Sequence, residues 1–168
     1  IIAENSEITI SCADGDVGTI YASILDFSVT DVDIGSLPAT RTDIMVNIAN
    51  PAAAFQWWRL PARGVGLARM EFIINAHIKV HPMGYSDPSE FFVDVLARGI
   101  AKLASPYYPH PAIVRLSDFK TNEYAHLVGG DAFEPDEENP MLGFRGASRY
   151  YDERDREGFA LECRALKR

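Results

Sequence analysis

The chain has 168 residues, 47% hydrophobic and 24% charged, which suits one globular domain of ordinary size and excludes a disordered protein. Sixteen basic against 24 acidic residues give a net charge of −8, which argues against general nucleic-acid binding. No apolar run approaches the ~18 residues of a membrane span, and no signal-peptide pattern is present. We therefore expect a cytoplasmic protein with no nucleic-acid or membrane partner.

The two cysteines carry little functional information. Cys12 and Cys163 lie far apart in the sequence and belong to no metal-binding pattern. They fit free thiols in a reducing compartment, and a single disulfide between them stays open as the alternative.

The first 30 residues are predicted to be β-structure. Glu7–Cys12 alternates polar and apolar residues, residues 13–16 have turn composition, and Gly18–Ala22 resumes a strand. Two short strands do not make a stable domain alone, so this segment is predicted to be the end of a separate unit. Residues 31–42 have the composition of a linker, and residues 43–168 are predicted to form a second unit.

The second unit alternates strands and helices. Nearly continuous apolar runs are typical of parallel strands covered on both faces, and they occur at Ile44–Ala49, Gly64–Met70 and Ala112–Leu116. Helices are predicted between and after them, at Ala52–Trp58, Glu71–Val80, from Asp87 to just before Pro106, and at Asp152–Lys167. This order predicts an α/β fold with a parallel sheet. A complete (β/α)8 barrel needs about 250 residues, so any barrel here would be a partial (β/α)8 TIM-type barrel, roughly half of the whole.

Two of the predicted helices have a clear buried face. The third begins with Asp87 as N-cap and Pro88 at its first position, and it buries Phe92, Val95, Leu96, Gly99 and Leu103. The last is predicted to turn Phe159, Cys163 and Leu166 inward. Asn50 and Pro51 supply the cap and first position of the first helix.

Three arginines are the candidate binding residues. Arg69 and Arg115 each end a short apolar run, and Arg145 lies in the glycine-flanked segment Asn139–Tyr150. A guanidinium in such a place is costly unless it meets an anion or stays in water. We predict a pocket for a small, multiply charged anion. The alternatives are ion pairs with acidic neighbours for Arg69 and Arg115, and a scaffold role in a tight turn for Arg145.

Other polar residues are weaker candidates. Asp118, Asn122 and Glu123 could line the same pocket, although capping of their own backbone is favoured for each. His77 and His81 have helical spacing but no third ligand, so no metal ligand is predicted in this chain. The acidic run over residues 131–138 is predicted to be a solvated loop.

Three long motifs resemble the phosphoenolpyruvate synthases (pyruvate, water dikinases), a branch of the PEP-utilising enzymes. They are Gly64–Phe72, Val114–Tyr124 and Pro135–Arg149, and Cys12–Tyr21 resembles the end of that family's mobile phosphohistidine domain. The residues Ser117–Tyr124 favour the synthases over their sister families. Pyruvate, phosphate dikinase and an enzyme I-type phosphotransferase of the same superfamily remain the alternatives, as does an inactive PEP-binding or dimerisation module.

The resemblance implies a reaction and its ligands. Such enzymes convert ATP, pyruvate and water to AMP, phosphoenolpyruvate (PEP) and phosphate through a phosphohistidine, with Mg²⁺. The arginines matching Arg69, Arg115 and Arg145 are placed at the pyruvate and PEP site. The family's phosphohistidine, magnesium-binding acids and catalytic cysteine match no residue here, so we expect a middle piece with no catalytic or metal-binding residue of its own. Its connection at His81–Asp87 is shorter than is usual in the family, and a homodimer or self-associating fragment is expected.

Overall fold

The computed structural model describes residues 2–11, 18–31, 33–85 and 89–168. It divides the chain into two compact units, Ile1–Leu37 and Pro38–Arg168, and the boundary falls within the residues predicted to be a linker. In the first unit, β1 (Thr9–Ser11) and β2 (Thr19–Tyr21) pair antiparallel, with Ile10 opposite Ile20. A 3-10 turn follows at Ile34–Ser36. Cys12 and the turn predicted at 13–16 lie outside the described residues.

The second unit contains a parallel sheet, as the sequence predicts. Its strands are β3 (Val46–Ile48), β4 (Val65–Arg69) and β5 (Ala112–Arg115), in the order β3-β4-β5. Both strand pairs are parallel. Each strand is shorter than its apolar run by one to three residues. The α/β class is confirmed, while the half-barrel remains a prediction.

The helices after β3 and β4 differ in regularity. Helix α1 (Pro51–Trp57) begins as predicted, with Asn50 Oδ1 accepting from the backbone N–H of Ala52 at 2.9 Å. Helix α2 (Glu71–Ile73) has a single turn and continues as a π-helix over Ile74–Ile78. The predicted helix to Val80 is too long, because Lys79 adopts a left-handed conformation and Val80 forms a β-bridge with Val128.

Helix α3 (Glu90–Ala104) forms the largest part of the core against the sheet. Its N-cap is Ser89, whose hydroxyl accepts from the N–H of Phe92 at 3.0 Å; the predicted cap residues Asp87 and Pro88 lie outside the described residues. The prediction for its buried face is mostly right, except that Val93 replaces Val95, which is only half-buried. The buried residues are Phe92, Val93, Leu96, Gly99 and Leu103.

The last part of the chain is built from short helices. These are α4 (Thr121–Ala125), α5 (Ala147–Tyr150) and α6 (Arg156–Lys167), with 3-10 turns at Pro82–Gly84, Ser105–Tyr107 and Gly130–Ala132. No helix among the described residues is long and apolar enough to cross a membrane.

The predicted inner face of the last helix is wrong at two of its three residues, since only Phe159 is half-buried, stacked on Tyr150. Cys163 is exposed and Leu166 is 42% exposed, whereas Leu161 and Glu162 are buried. The helix is rotated relative to the prediction, so that Leu161, Glu162 and Ala165 are its buried side chains. It also begins at Arg156, four residues after the predicted start.

Candidate anion-binding site

The three predicted arginines line one cavity. Arg69 and Arg115 are the last residues of β4 and β5 and are register partners in the parallel sheet. They therefore lie side by side at the carboxyl edge of the sheet, where parallel α/β folds usually bind their ligands. Arg145 reaches the same cavity, which has a volume of about 370 Å³.

Arg69 carries no ion pair within the described part of the chain. Its guanidinium carbon lies 4.6 Å from the centre of the Phe72 ring, and its side chain is exposed. No described carboxylate oxygen lies within ion-pair distance of its nitrogens. Stacking on an aromatic face orients a guanidinium while leaving its in-plane donors available. Arg69 is thus the cation of this cavity that is most ready to bind an anion.

Arg115 is oriented by a carboxylate that follows β4. Its Nη2 donates to Glu71 Oε1, and its Nη1 lies 3.7 Å from Asp118 Oδ2. The same Glu71 oxygen accepts the backbone N–H of Asp118 at 3.0 Å. The Arg115 side chain is 41% exposed, so this pairing leaves part of the guanidinium accessible.

Arg145 is bound more tightly than the other two. Its Nε and Nη2 donate to the two oxygens of Asp118 at 3.0 and 2.8 Å, and Nη1 lies 3.4 Å from Met141 Sδ. This pairing lowers the pKa of Asp118 below its ordinary value, chiefly through the hydrogen bond from Arg145. Both forked donors are engaged, so the structure gives Arg145 the scaffold contact that the sequence left open, at the wall of the cavity.

The polar residues of the following loop divide between two roles. The prediction that Asp118 caps its own backbone is wrong, because its carboxylate pairs with Arg145. Glu123 does cap its own helix, accepting the N–H of Lys120 at 2.9 Å, and it also lines the cavity. Asn122 lines a different cavity. With Lys120 included, four cations face three carboxylates around the first cavity, so it stays locally positive on an acidic chain.

The described residues do not form a metal site. No group of three or more His, Cys, Asp or Glu side chains gathers among them. Of the cavity carboxylates, Glu71 pairs with Arg115 and Asp118 pairs with Arg145.

His81 is buried away from any such site. Its Nδ1 accepts the N–H of Met83 at 3.1 Å, so Nε2 carries the ring proton and faces Glu134 at 2.8 Å.

The acidic run contributes Glu134 to a buried ionic cluster that the sequence does not predict. The side chains of Glu134 and Arg149 are each 2% exposed, and Arg149 Nη1 donates to Glu134 Oε1 at 2.9 Å. The Arg149 guanidinium lies 4.4 Å from the ring centres of both Tyr124 and Phe144. Burial tends to raise the pKa of Glu134, but hydrogen bonds from His81 and Arg149 outweigh it and lower that pKa. The prediction of a solvated loop is therefore wrong at Glu134.

A second missed residue lies behind the cavity. Glu162 on α6 is 2% exposed and accepts hydrogen bonds from the backbone N–H of Ser117 at 3.2 Å and from the Ser117 hydroxyl. Burial raises the pKa of Glu162 to about 7, against the lowering effect of these hydrogen bonds. The sequence places Glu162 directly after Leu161 in the last helix. It does not show that Ser117 binds the Glu162 carboxylate.

Comparison with known proteins identifies the family. The family described as PEP-utilising enzyme, PEP-binding domain matches residues 29–168, which is most of the chain. The chain belongs to the PEP-utilising enzymes. The cavity with its three arginines therefore lies in a PEP-binding domain of this family.

Several curated relatives named as phosphoenolpyruvate synthases match nearly the whole chain. The chain is 48% identical to a phosphoenolpyruvate synthase of Neisseria meningitidis over 100% of this chain and 24% of the relative. It is 48% identical to that of Escherichia coli over 98% of this chain and 24% of the relative. A probable phosphoenolpyruvate synthase of Staphylothermus marinus is 39% identical over 100% of this chain and 22% of the relative. The chain thus spans about a quarter of the length of these PEP-utilising relatives.

Proposed function

We propose that this chain is the PEP- and pyruvate-binding part of a phosphoenolpyruvate synthase. The whole protein would convert ATP, pyruvate and water to AMP, PEP and phosphate through a phosphohistidine. One observation carries the proposal: Arg69 and Arg115 end neighbouring parallel strands and face a common cavity. The relatives named phosphoenolpyruvate synthase support it, since they match nearly the whole chain at 48% identity.

The positions of the two arginines suit a phosphoryl group. Neighbouring strands lie about 4.8 Å apart, so two guanidinium groups at their ends can reach oxygens of the same phosphoryl group. Phosphoryl transfer depends mainly on positioning and on stabilising charge spread over those oxygens. In the proposed reaction the phosphorus–nitrogen bond of the phosphohistidine breaks as a bond to the enolate oxygen of pyruvate forms. Arg69 and Arg115 hold the group in transfer, and Arg145 fixes Asp118 beside Arg115.

The proposal extends to parts of the reaction that these residues do not supply. By family resemblance the whole enzyme uses Mg²⁺ and ATP, with their ligands outside this chain, and the domain is a (β/α)8 barrel. The 168-residue chain alone is then expected to bind PEP without turnover. Self-association belongs to the same proposal, because Ile44 and Ile113 are more than half exposed. Pyruvate-dependent AMP formation by the chain alone, or a monomer in light scattering at high concentration, would contradict these two points.

The decisive experiment separates the two half-reactions in the full-length protein. Arg69→Ala and Arg115→Ala should each slow exchange between PEP and the phosphohistidine by more than about a hundredfold, the equivalent of about 3 kcal/mol. ATP-dependent phosphorylation of the histidine should stay nearly unchanged, because neither arginine takes part in it. Arg69→Lys should restore little, since an ammonium lacks the planar fork.

Thermal unfolding serves as the control for these variants. Arg69→Ala removes no ion pair among the described residues, so its melting temperature should stay close to that of the wild type. Arg115→Ala leaves Glu71 without its arginine partner and should lower the melting temperature. Near-normal exchange in both variants would mean that these arginines are structural and that PEP binds elsewhere.

A further inference from the structure

We infer that Glu162 is a positioning residue for the anion cavity, where its carboxyl group holds Ser117 and thereby places Arg115 and Asp118. This inference rests on the proposed function, because it assumes that the cavity binds PEP. Glu162 itself touches neither Arg115 nor Asp118 through any hydrogen bond or ion pair of the described residues. Its effect is transmitted through the backbone of the segment that links them.

The segment Arg115–Asp118 leaves the sheet at the cavity and is held from two sides. On the cavity side, Glu71 Oε1 binds the Arg115 guanidinium and the N–H of Asp118. On the opposite side, both oxygens of Glu162 accept hydrogen bonds from Ser117. Ser117 is 3% exposed, so these contacts are buried and water does not substitute for them easily.

Two tyrosines complete the rear side of this segment. Tyr150 donates its hydroxyl to the carbonyl oxygen of Ser117 at 2.9 Å. The hydroxyl groups of Tyr124 and Ser117 are 2.8 Å apart, and because the Ser117 proton is given to Glu162, Tyr124 acts as the donor. Every polar atom of Ser117 is therefore engaged, and two of the four contacts end on Glu162.

The charge state of Glu162 decides how many hydrogen bonds it accepts. The carboxylate offers an acceptor to each of the two Ser117 donors, whereas a protonated acid must turn one oxygen into a donor. Because burial raises the pKa of Glu162 to about 7, its charge changes close to neutral pH. Several titratable groups interact with Glu162. Asp155 precedes α6 and Cys163 lies in α6, whereas the others are Tyr124 on α4, Tyr150 on α5 and Glu71 beyond Ser117.

A displacement of about 1 Å at a group that binds a reacting phosphoryl can cost on the order of a hundredfold in rate. Losing the hydrogen bonds between Ser117 and Glu162 should therefore shift Arg115, two residues away, and measurably weaken PEP binding. A role in helix packing alone would instead lower the folded fraction at every pH without changing how the folded protein binds PEP.

The test compares PEP affinity of the full-length wild type and Glu162→Gln between pH 5.5 and 8. Glutamine has one acceptor and one donor group, so it resembles the protonated acid. Because the ionisation of PEP is the same in both titrations, it cancels in the ratio of the two dissociation constants. We expect the variant to bind within about twofold of the wild type at pH 5.5 and about tenfold more weakly at pH 8. A ratio that stays constant with pH would overturn the inference, whatever its value.

Two further variants keep the outcome interpretable. Glu157→Gln changes an exposed carboxylate on the same helix and should give a ratio near one at every pH. Ser117→Ala removes the hydroxyl hydrogen bond to Glu162 and leaves the backbone one. Its ratio of PEP dissociation constants to the wild type should change with pH in the same direction as that of Glu162→Gln, with a smaller amplitude. If Glu162→Gln does not fold, the absence of that trend in Ser117→Ala overturns the inference.

The proposed function is judged separately by Arg69→Ala in the same assay. If this variant loses PEP affinity while the Glu162→Gln ratio stays constant with pH, only the positioning role fails. If Arg69→Ala binds PEP as tightly as the wild type, the assignment of the cavity fails, and the positioning role falls with it.

Discussion

At the scale of single residues, the three arginines that line the anion cavity contrast with a fourth, Arg149, that is enclosed. Arg69 has no described ion-pair partner, whereas Arg149 is 2% exposed between two aromatic rings and a buried carboxylate. A buried guanidinium is tolerated only when its charge is paired and its donors are hydrogen-bonded. Arg149 meets both conditions, because its Nε also donates to the carbonyl of Phe144 at 2.9 Å.

Arg149→Ala should be strongly destabilising, by about 3–5 kcal/mol, because it leaves the Glu134 carboxylate buried without its main partner. The measurement is urea-induced unfolding of the 168-residue chain. Arg156→Ala is the matched control, since it removes an arginine whose ion pair with Glu153 is exposed on both sides, and it should change little.

The coupling between Arg149 and Glu134 can be measured directly. In the double variant Arg149→Met with Glu134→Gln, neither charge is left alone, so the loss should be smaller than the sum of the two single losses. Additive losses would show that the pair does not stabilise the fold as a unit.

At the scale of elements, the packing of α3 on α2 depends on a glycine. Gly99 is buried in the middle of α3, and a Cβ placed there would lie 2.8 Å from both Cγ2 and Cδ1 of Ile73. Ile73 is itself fully buried. The absence of a side chain at Gly99 thus allows α3 to pack closely on Ile73.

Gly99→Ala is a case in which two effects have opposite signs. Helix propensity favours alanine by up to about 1 kcal/mol, whereas overpacking a filled core costs about 1–3 kcal/mol. We expect a net destabilisation in urea unfolding. Ala101→Gly on the exposed face of the same helix calibrates propensity and should cost about 1 kcal/mol. A stabilised Gly99→Ala variant would show that Ile73 can move aside.

At the scale of the whole molecule, two buried acids link stability to pH. Burial raises the pKa of Glu162 to about 7 and that of Asp155 to about 6, both above the values in an unfolded chain. The folded protein therefore holds more protons than the unfolded one between about pH 4.5 and 7. Stability from these groups is fully present below their unfolded pKa values and is lost as the pH rises through about 7.

The free energy of unfolding should accordingly fall between pH 5 and pH 8. For Glu162 the fall is on the order of 3 kcal/mol, because burial raises its pKa from its ordinary value to about 7 in the folded chain. Urea unfolding at a series of pH values measures it, and Glu162→Gln should keep only the smaller part that Asp155 contributes. A stability that rises with pH in this window would mean that Glu162 is ionised without penalty in the folded chain.

Much of the fold followed from local patterns. Apolar runs located all three strands of the parallel sheet, and capping residues located the start of α1, because these signals act over a few neighbouring residues. Two arginines at the ends of apolar runs predicted an anion cavity without reference to distant residues. The end of α2 and the orientation of α6 could not be predicted this way, since Val80 pairs with Val128 and Glu162 binds Ser117, both far along the chain.

The α/β class, the family and the three arginines of the cavity could be predicted from residue types in short, ordered motifs. The contacts of each arginine depend on residues that are distant in the sequence. Glu71 orients Arg115, Asp118 engages the fork of Arg145, and no described carboxylate pairs with Arg69. Only the tertiary structure decided that Glu134 and Glu162 are buried, since the free energy of burying a carboxylate depends on the donors that surround it. Those donors, Arg149 and Ser117, lie 15 and 45 positions away along the chain.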